Sequence, residues 1–311
     1  MIDLGWLGDR PVLVTGAGGF LGAAVVRRLV ALGARVRAWL GPAPSPALRL
    51  PRGAMLDHGE LTDAAAIDRQ LAGAACVFHL AGPPSAAASF ASPAAHLQLH
   101  AGGTALLLER CIALRVARLV YVSSAEVYAP ANLAVTEDHP RAPRSPYGVA
   151  KHAAERCLEL CATEGGVDAT IVRPFSVYGP GGHPSSVIGT ILAAVRRGEP
   201  PALADLRPVR DYCFVDDAAD GIVRAGCRDG APRAYNLASG RGASVRDVAT
   251  AILGAAGRSD LAIHERAADR PAAALTLGLI GDPSRAHAEL GFRATTSLAD
   301  GLARTFAEEP T

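Results

Sequence analysis

Apolar residues in the first half of the chain fall into two alternating patterns: short continuous runs, and longer segments with apolar positions three and four apart. The runs PVLVTG (11–16), ARVRAWL (34–40), ACVFHLAG (75–82) and ARLVYVSS (117–124) predict strands buried on both faces. The segments FLGAAVVRRLVALG (20–33) and 94–114 carry the helical spacing. GPAPSPALRLPRG (41–53) is rich in proline and glycine and predicts a loop. After a proline-rich turn at 139–146, the pattern predicts a long helix from Tyr147 to Gly165 or Gly166, then a strand over 169–174. Farther on it breaks into a loop at YGPGGHPSS and shorter helices near 186–197, 216–227, 244–256, 283–290 and 297–308. Such alternation implies an α/β chain with a parallel sheet covered by helices on both faces, followed by a smaller lobe.

Composition narrows the classes of function. The 311 residues are half hydrophobic and one-fifth charged, with a formal net charge of +1. Scattered arginines make no field that would gather nucleic acid or a membrane surface. The start, MIDLGWLGDR, has no basic region followed by an apolar one, and no apolar run is long enough to cross a bilayer, so a cytoplasmic location is expected. Six cysteines (Cys76, Cys111, Cys157, Cys161, Cys213, Cys227) lack CxxC spacing and read as reduced core residues; no metal site is expected.

The first strand runs into VTGAGGFLG, which sets Gly16, Gly19 and Gly22 three residues apart and then opens a helix. Gly16 permits a tight turn, Gly19 lets the backbone approach a pyrophosphate, and Gly22 lets the helix pack close to the sheet. The helix start supplies N–H groups and a positive dipole end for the phosphates. The pattern predicts a dinucleotide-binding Rossmann-type domain over 1–170 and a substrate lobe over 171–311, with part near 210–228 returning to the first domain. The acid that would take the ribose hydroxyls of NAD at the end of the second strand is missing, since Leu40 and Gly41 stand there. Arg35 and Arg37 precede it, either to meet the extra phosphate of NADP or as a solvated strand face.

Lys151 is the only lysine; the other thirty of the 31 basic residues are arginine. It follows Tyr147 by four positions, so on a helix both side chains share a face. A phenol with a pKa of about 10 is a poor base unless a nearby cation favours its phenolate. An ammonium supplies that charge as a compact point and can also bond a ribose hydroxyl, which a planar guanidinium does not reproduce. A hydroxyl to hold the reacting oxygen is expected where a central strand ends, at Ser123 or Ser124.

With these stations in order, the chain resembles the extended short-chain dehydrogenase/reductases, specifically the NAD-dependent epimerase/dehydratase family that acts on nucleotide sugars. The resemblance spans nearly the whole chain: VTGAGGFLG, GELTD (59–63), VFHLAG (77–82), GGTALLLERC (102–111), VYVSSAEVY (120–128), SPYGVAK (145–151), RPFSVYGPG (173–181), RDYCFVDDAADGI (210–222), YNLASG (235–240) and LGF (290–292). It implies Ser124, Tyr147 and Lys151 as the catalytic trio. It implies Gly16, Gly19, Phe20 and Leu21 near the pyrophosphate, Glu60 and Leu61 near the adenine, and Ala81 and Gly82 along the cofactor, with Tyr147 and Lys151 also on it. It implies Ser124, Ser176, Arg210 and Arg270 on the nucleotide-diphosphate sugar, and a homodimer formed through the helices near 94–114 and 147–165.

Several positions depart from the family pattern. Glu60 stands for the usual aspartate, His100 for an asparagine, Ser176 for the frequent asparagine of RPFNVYGP, and Ala129 for a common glycine. Glu126 matches an acid of dehydratases, decarboxylases and some 4-keto reductases, but its neighbour, often acidic in 4,6-dehydratases, is Ala125. The resemblance therefore implies an oxidoreductase acting at sugar C4 with NAD, or alternatively NADP, and first of all a 4-epimerase. The alternatives are a 4-keto-hexose reductase using NADPH, a dehydratase or decarboxylase using Glu126, and a non-enzymatic dinucleotide sensor.

Overall fold

A computed structural model of the chain describes residues 2–42, 50–131, 134–162, 164–228, 233–266 and 278–308. In chain order the elements are β1 (Val12–Thr15), α1 (Phe20–Ala31), β2 (Val36–Leu40), β3 (Ala54–His58), α2 (Ala64–Leu71), β4 (Cys76–His79), α3 (Pro93–His96), a π-helical turn (Leu97–Gly102), α4 (Gly103–Ala113), β5 (Arg118–Val122) and α5 (Pro146–Cys161). They continue with β6 (Asp168–Pro174), β7 (Ser176–Tyr178), α6 (Val187–Arg196), β8 (Ala202–Leu203), β9 (Val209–Phe214), α7 (Val215–Gly226), β10 (Ala234–Leu237) and β11 (Gly242–Ser244). The last are α8 (Val245–Ala255), β12 (His264–Glu265), β13 (Gly278–Leu279), α9 (Ser284–Leu290) and α10 (Leu298–Ala307).

Seven parallel strands form the central sheet in the order β10-β6-β5-β4-β1-β2-β3. Side chains alternate across a strand, and here the two sets feed two cores. Val12, Val14, Phe78, Val120 and Val122 meet Val25, Leu29 and Ile222 on the α1 and α7 face. Leu13, Val77, Leu119 and Tyr121 meet Ile67, Leu107 and Leu158 on the α2, α4 and α5 face. The strands therefore read as unbroken apolar runs, and the sheet is doubly wound.

The chain leaves β1 toward β2 and β3, then returns to place β4 on the other side of β1. That reversal opens a crevice at the carboxyl ends of β1 and β4, where ligands of such sheets bind. The later residues also build the central sheet: α7 packs on α1, and β10 adds the seventh strand beside β6. Around β9, the strands β7, β11 and β13 form a smaller sheet.

β3 and α2 were not anticipated by the hydrophobic pattern. Four of the five β3 residues are exposed on the sheet edge, so burial imposes no apolar run there. α2 is eight residues long and begins on Asp63, whose carboxylate accepts the N–H groups of Ala65 and Ala66. Of the cysteines, Cys76, Cys111 and Cys213 are buried, whereas Cys157 and Cys227 are half-buried and Cys161 is exposed, so the reading of all six as core residues holds for three. Among the described residues no helix is long and apolar enough to cross a membrane.

Candidate active site

Thr15 ends β1 directly opposite His79 at the end of β4, and its Oγ1 lies 2.7 Å from the His79 Nδ1. The same oxygen accepts the N–H groups of Leu80 and Ala81, both at 3.2 Å. His79 Nε2 continues the chain to Thr104 Oγ1 at 2.9 Å on α4. The loop after β4 is thereby tied to the glycine loop across the crevice. Gly16 sits there at φ 66°, and a Cβ on it would come within 2.7 Å of the Ala81 nitrogen, so only glycine fits both the turn and the approach. A Cβ on Gly22 would fall 2.1 Å from the Gly16 carbonyl oxygen. Gly19 caps α1 without a side chain, which leaves the first-turn N–H groups of the helix to an anion. This cradle fits the pyrophosphate of a dinucleotide.

Beside it lies a cavity of about 480 Å³ lined by Gly16, Glu60, Leu61, Ala81, Gly82 and, at the end of β2, Leu40. It brings together five of the expected cofactor residues, while Gly19, Phe20, Leu21 and Gly22 form the start of α1. The two arginines of the second strand point elsewhere. Arg35 donates to the Asp9 carbonyl and Arg37 to the carbonyls of Gln70 and Ala72 at the end of α2. They are occupied holding backbone, which removes the arginine argument for a 2′-phosphate.

Ser145 accepts the Gly148 N–H and Pro146 occupies the first turn, so α5 starts just before Tyr147. Tyr147 and Lys151 are both buried one turn apart, 8% and 4% exposed. The Lys151 Nζ donates to the Val122 carbonyl at 2.7 Å, at the end of β5, and stands 4.8 Å over the Tyr121 ring and 5.9 Å from the Tyr147 ring. The Ser124 hydroxyl acts on the Tyr147 phenol and lowers its pKa. The structure thus brings Ser124, Tyr147 and Lys151 together and favours Ser124 over Ser123. Glu126 follows in a short 3-10 turn, exposed, with its N–H on Ser124 Oγ at 3.1 Å.

Burial governs the titration of the pair. It pushes the Tyr147 phenol up to about 12, against the Ser124 hydrogen bond and with a further rise from the Glu126 charge. It pulls the Lys151 ammonium down to about 7, against the attraction of Glu155. Desolvation is the largest influence on both groups.

A buried ionic group behind the trio escaped the sequence reading. Arg173, 2% exposed, grips Glu155 through two bonds of 2.9 and 2.8 Å, and also donates to Tyr128 Oη and the Glu137 carbonyl. Its available signals were an arginine inside a buried strand and a glutamate one turn past Lys151. His100, read from the sequence as a structural rather than a catalytic histidine, has its ring 5.2 Å from that of Tyr147. Ser176 begins β7 and Arg210 lies on the adjoining β9, both half-buried. The Arg210 guanidinium donates to the Val209 carbonyl and pairs with no carboxylate among the described residues. Arg270 lies outside the described residues.

The model of the NAD dependent epimerase/dehydratase family matches residues 12–238. A UDP-glucose 4-epimerase of Mycolicibacterium smegmatis is 33% identical over 307 residues, spanning 94% of this chain and 96% of that protein. A dTDP-glucose 4,6-dehydratase of Streptomyces griseus is 31% identical over 95% of this chain and 93% of its own. Among solved structures, MoeE5 in complex with UDP-glucose and NAD has a TM-score of 0.85 at 31% identity, covering 95% of this chain and 97% of that one.

Proposed function

The chain belongs to the NAD-dependent epimerase/dehydratase family, and from that premise we propose that it is a nucleotide-sugar 4-epimerase. The supporting observation is a buried Ser124–Tyr147–Lys151 trio with the apolar, buried Ala125 where an acid for water elimination would stand.

NAD held along Gly16, Ala81 and Gly82 supplies a reversible acceptor for the C4 hydrogen. Tyr147 Oη takes the proton of the C4 hydroxyl, and Ser124 Oγ holds that oxygen while it becomes a ketone. The Lys151 charge favours the phenolate at that moment and can bond the cofactor's ribose. Arg210 on β9 is a guanidinium free for the sugar's diphosphate, and Ser176 on the neighbouring strand is a hydroxyl for the sugar. The 4-keto sugar turns within the site, and Tyr147 returns the proton to O4 on the other epimer.

Exposed Glu126 beside Ser124 favours one second reading, elimination from the 4-keto sugar. A panel of UDP- and dTDP-hexoses without added cofactor tests the proposal. Interconversion at C4 supports it. Inertness on all of them, together with turnover of a 4-keto sugar plus NADPH, overturns it.

A homodimer is also proposed. Leu97 on the π-helical turn and Val149 and Leu160 on α5 are 41%, 45% and 60% exposed. Val149 and Leu160 are three helical turns apart on one face, which a second copy would cover. Light scattering on the purified protein reads the stoichiometry.

A further inference from the structure

Lys151, the only lysine of the chain, is 4% exposed, so its ammonium has given up most of its water. Tyr147 and Glu155 face it from its own helix, α5. His79 faces it from β4 and His100 from the π-helical turn, and burial keeps both imidazoles neutral, His79 well below its ordinary value and His100 at about 3. Glu155 is the carboxylate among these groups, and it is bonded twice by Arg173 and once by Arg141. Its charge is therefore shared with two guanidinium groups.

β5 supplies the remaining support. Side chains alternate along the strand, which sends Leu119 and Tyr121 into the core on the α5 face. The next residue, Val122, ends β5, and its carbonyl accepts Lys151 Nζ at 2.7 Å while the same nitrogen stands 4.8 Å over the Tyr121 ring. The Tyr147 ring is farther away, at 5.9 Å. Parallel register sets Tyr121 against His79, with ring centroids 5.6 Å apart. His79 is in turn fixed between Thr15 and Thr104 by contacts of 2.7 and 2.9 Å. The Tyr121 ring is thus braced with its face to the ammonium. An aromatic face carries partial negative charge, and it attracts a cation more strongly once water is removed.

We propose that Tyr121 is a positioning residue, whose ring face, with the neighbouring Val122 carbonyl, holds Lys151 as a cation beside Tyr147. Burial brings the ammonium down to about 7, so at neutral pH a tenfold change in its ionisation decides whether the trio carries its charge. The proposal rests on Lys151 serving Tyr147 and is independent of which reaction follows.

One lysine gives one signal, so NMR of the full chain labelled with [ε-¹³C]lysine reads the Lys151 ionisation directly from about pH 5 to 10. Tyr121→Leu keeps an apolar side chain and removes the ring face. Its midpoint should fall about one pH unit below wild type, a tenfold loss of ionisation. Tyr121→Phe keeps the face and should stay within about 0.3 of a pH unit of wild type. A leucine midpoint equal to or above wild type, or a phenylalanine midpoint that falls as far as leucine, overturns the proposal. A second measurement needs no variant: the ε-methylene protons of wild-type Lys151 should lie upfield of free lysine and show cross-peaks to the Tyr121 ring. Free-lysine shifts without those cross-peaks overturn the assignment even if the leucine variant fails to fold. The expected titration in a protein that does not interconvert sugars would refute the 4-epimerase reading alone.

Discussion

Replacing Glu155 by glutamine removes one half of a bidentate pair in which Glu155 is 0% and Arg173 2% exposed by side chain. Arg173 keeps Tyr128 Oη and the Glu137 carbonyl but loses the carboxylate that bonds it twice. Breaking a buried pair on one side costs about 3–5 kcal/mol, because the charge left behind is not neutralised. For a chain of this size that is a fall in Tm of roughly 5–8 °C. The control is Glu159→Gln, whose carboxylate is 29% exposed and bonded to Arg141 and Arg156. A half-exposed pair is screened, so it should cost about 1 kcal/mol or less.

The pH dependence has a definite sign. Burial raises the Glu155 pKa, but the Arg173 hydrogen bonds and charge, with Ser123 and Arg141, outweigh it and leave it lowered. A depressed carboxyl contributes stability above its unfolded value and loses it as pH falls through the folded one. The gap between wild type and Glu155→Gln should therefore be full at pH 7 and narrow in acid. Lys151 also loses the one carboxylate that opposes its desolvation, so activity at neutral pH should fall further than stability does. Urea unfolding at several pH values checks the account. A cost under about 1 kcal/mol at pH 7, equal to the Glu159 control, would refute it.

Tyr147→Phe should lower turnover at least about a hundredfold, the usual worth of a general acid–base group, while bound nucleotide is retained on gel filtration. Gly16→Ala should abolish nucleotide retention, because its Cβ would meet the Ala81 nitrogen at 2.7 Å; absorbance of the purified protein near 260 nm reads this. Lys151 drops its proton near pH 7 in the folded chain but at about 10.4 when unfolded, so its contribution to stability rises with pH across that window. Scanning calorimetry of nucleotide-free Lys151→Met should show an advantage over wild type at pH 7 that shrinks toward pH 10, and a constant gap would contradict the burial argument.

Features set by local chemistry were legible in the sequence. Gly16 at a strand end and Tyr147 four places before the only lysine carry their function in spacing, and the central strands carry theirs in unbroken apolar runs buried on both faces. Exposed β3 and short α2 lack that constraint and left no pattern. Arg173 with Glu155, and His79 with Thr15 and Thr104, join residues far apart in the chain, so only the parallel register makes them neighbours. Spacing brings Lys151 near Tyr147, but the burial that moves both pKa values is a property of the packed fold and leaves no mark in the spacing. Arg35 and Arg37 offered an argument for NADP that their backbone partners remove.

The most direct test of the central claim is proton NMR of UDP-glucose incubated in D₂O with the purified protein and no added cofactor. A 4-epimerase moves the C4 hydrogen within one site, so gluco and galacto forms should reach equilibrium with no deuterium on carbon. Loss of water with deuterium at C5, or an unchanged spectrum alongside reduction of a 4-keto sugar by NADPH, would contradict it.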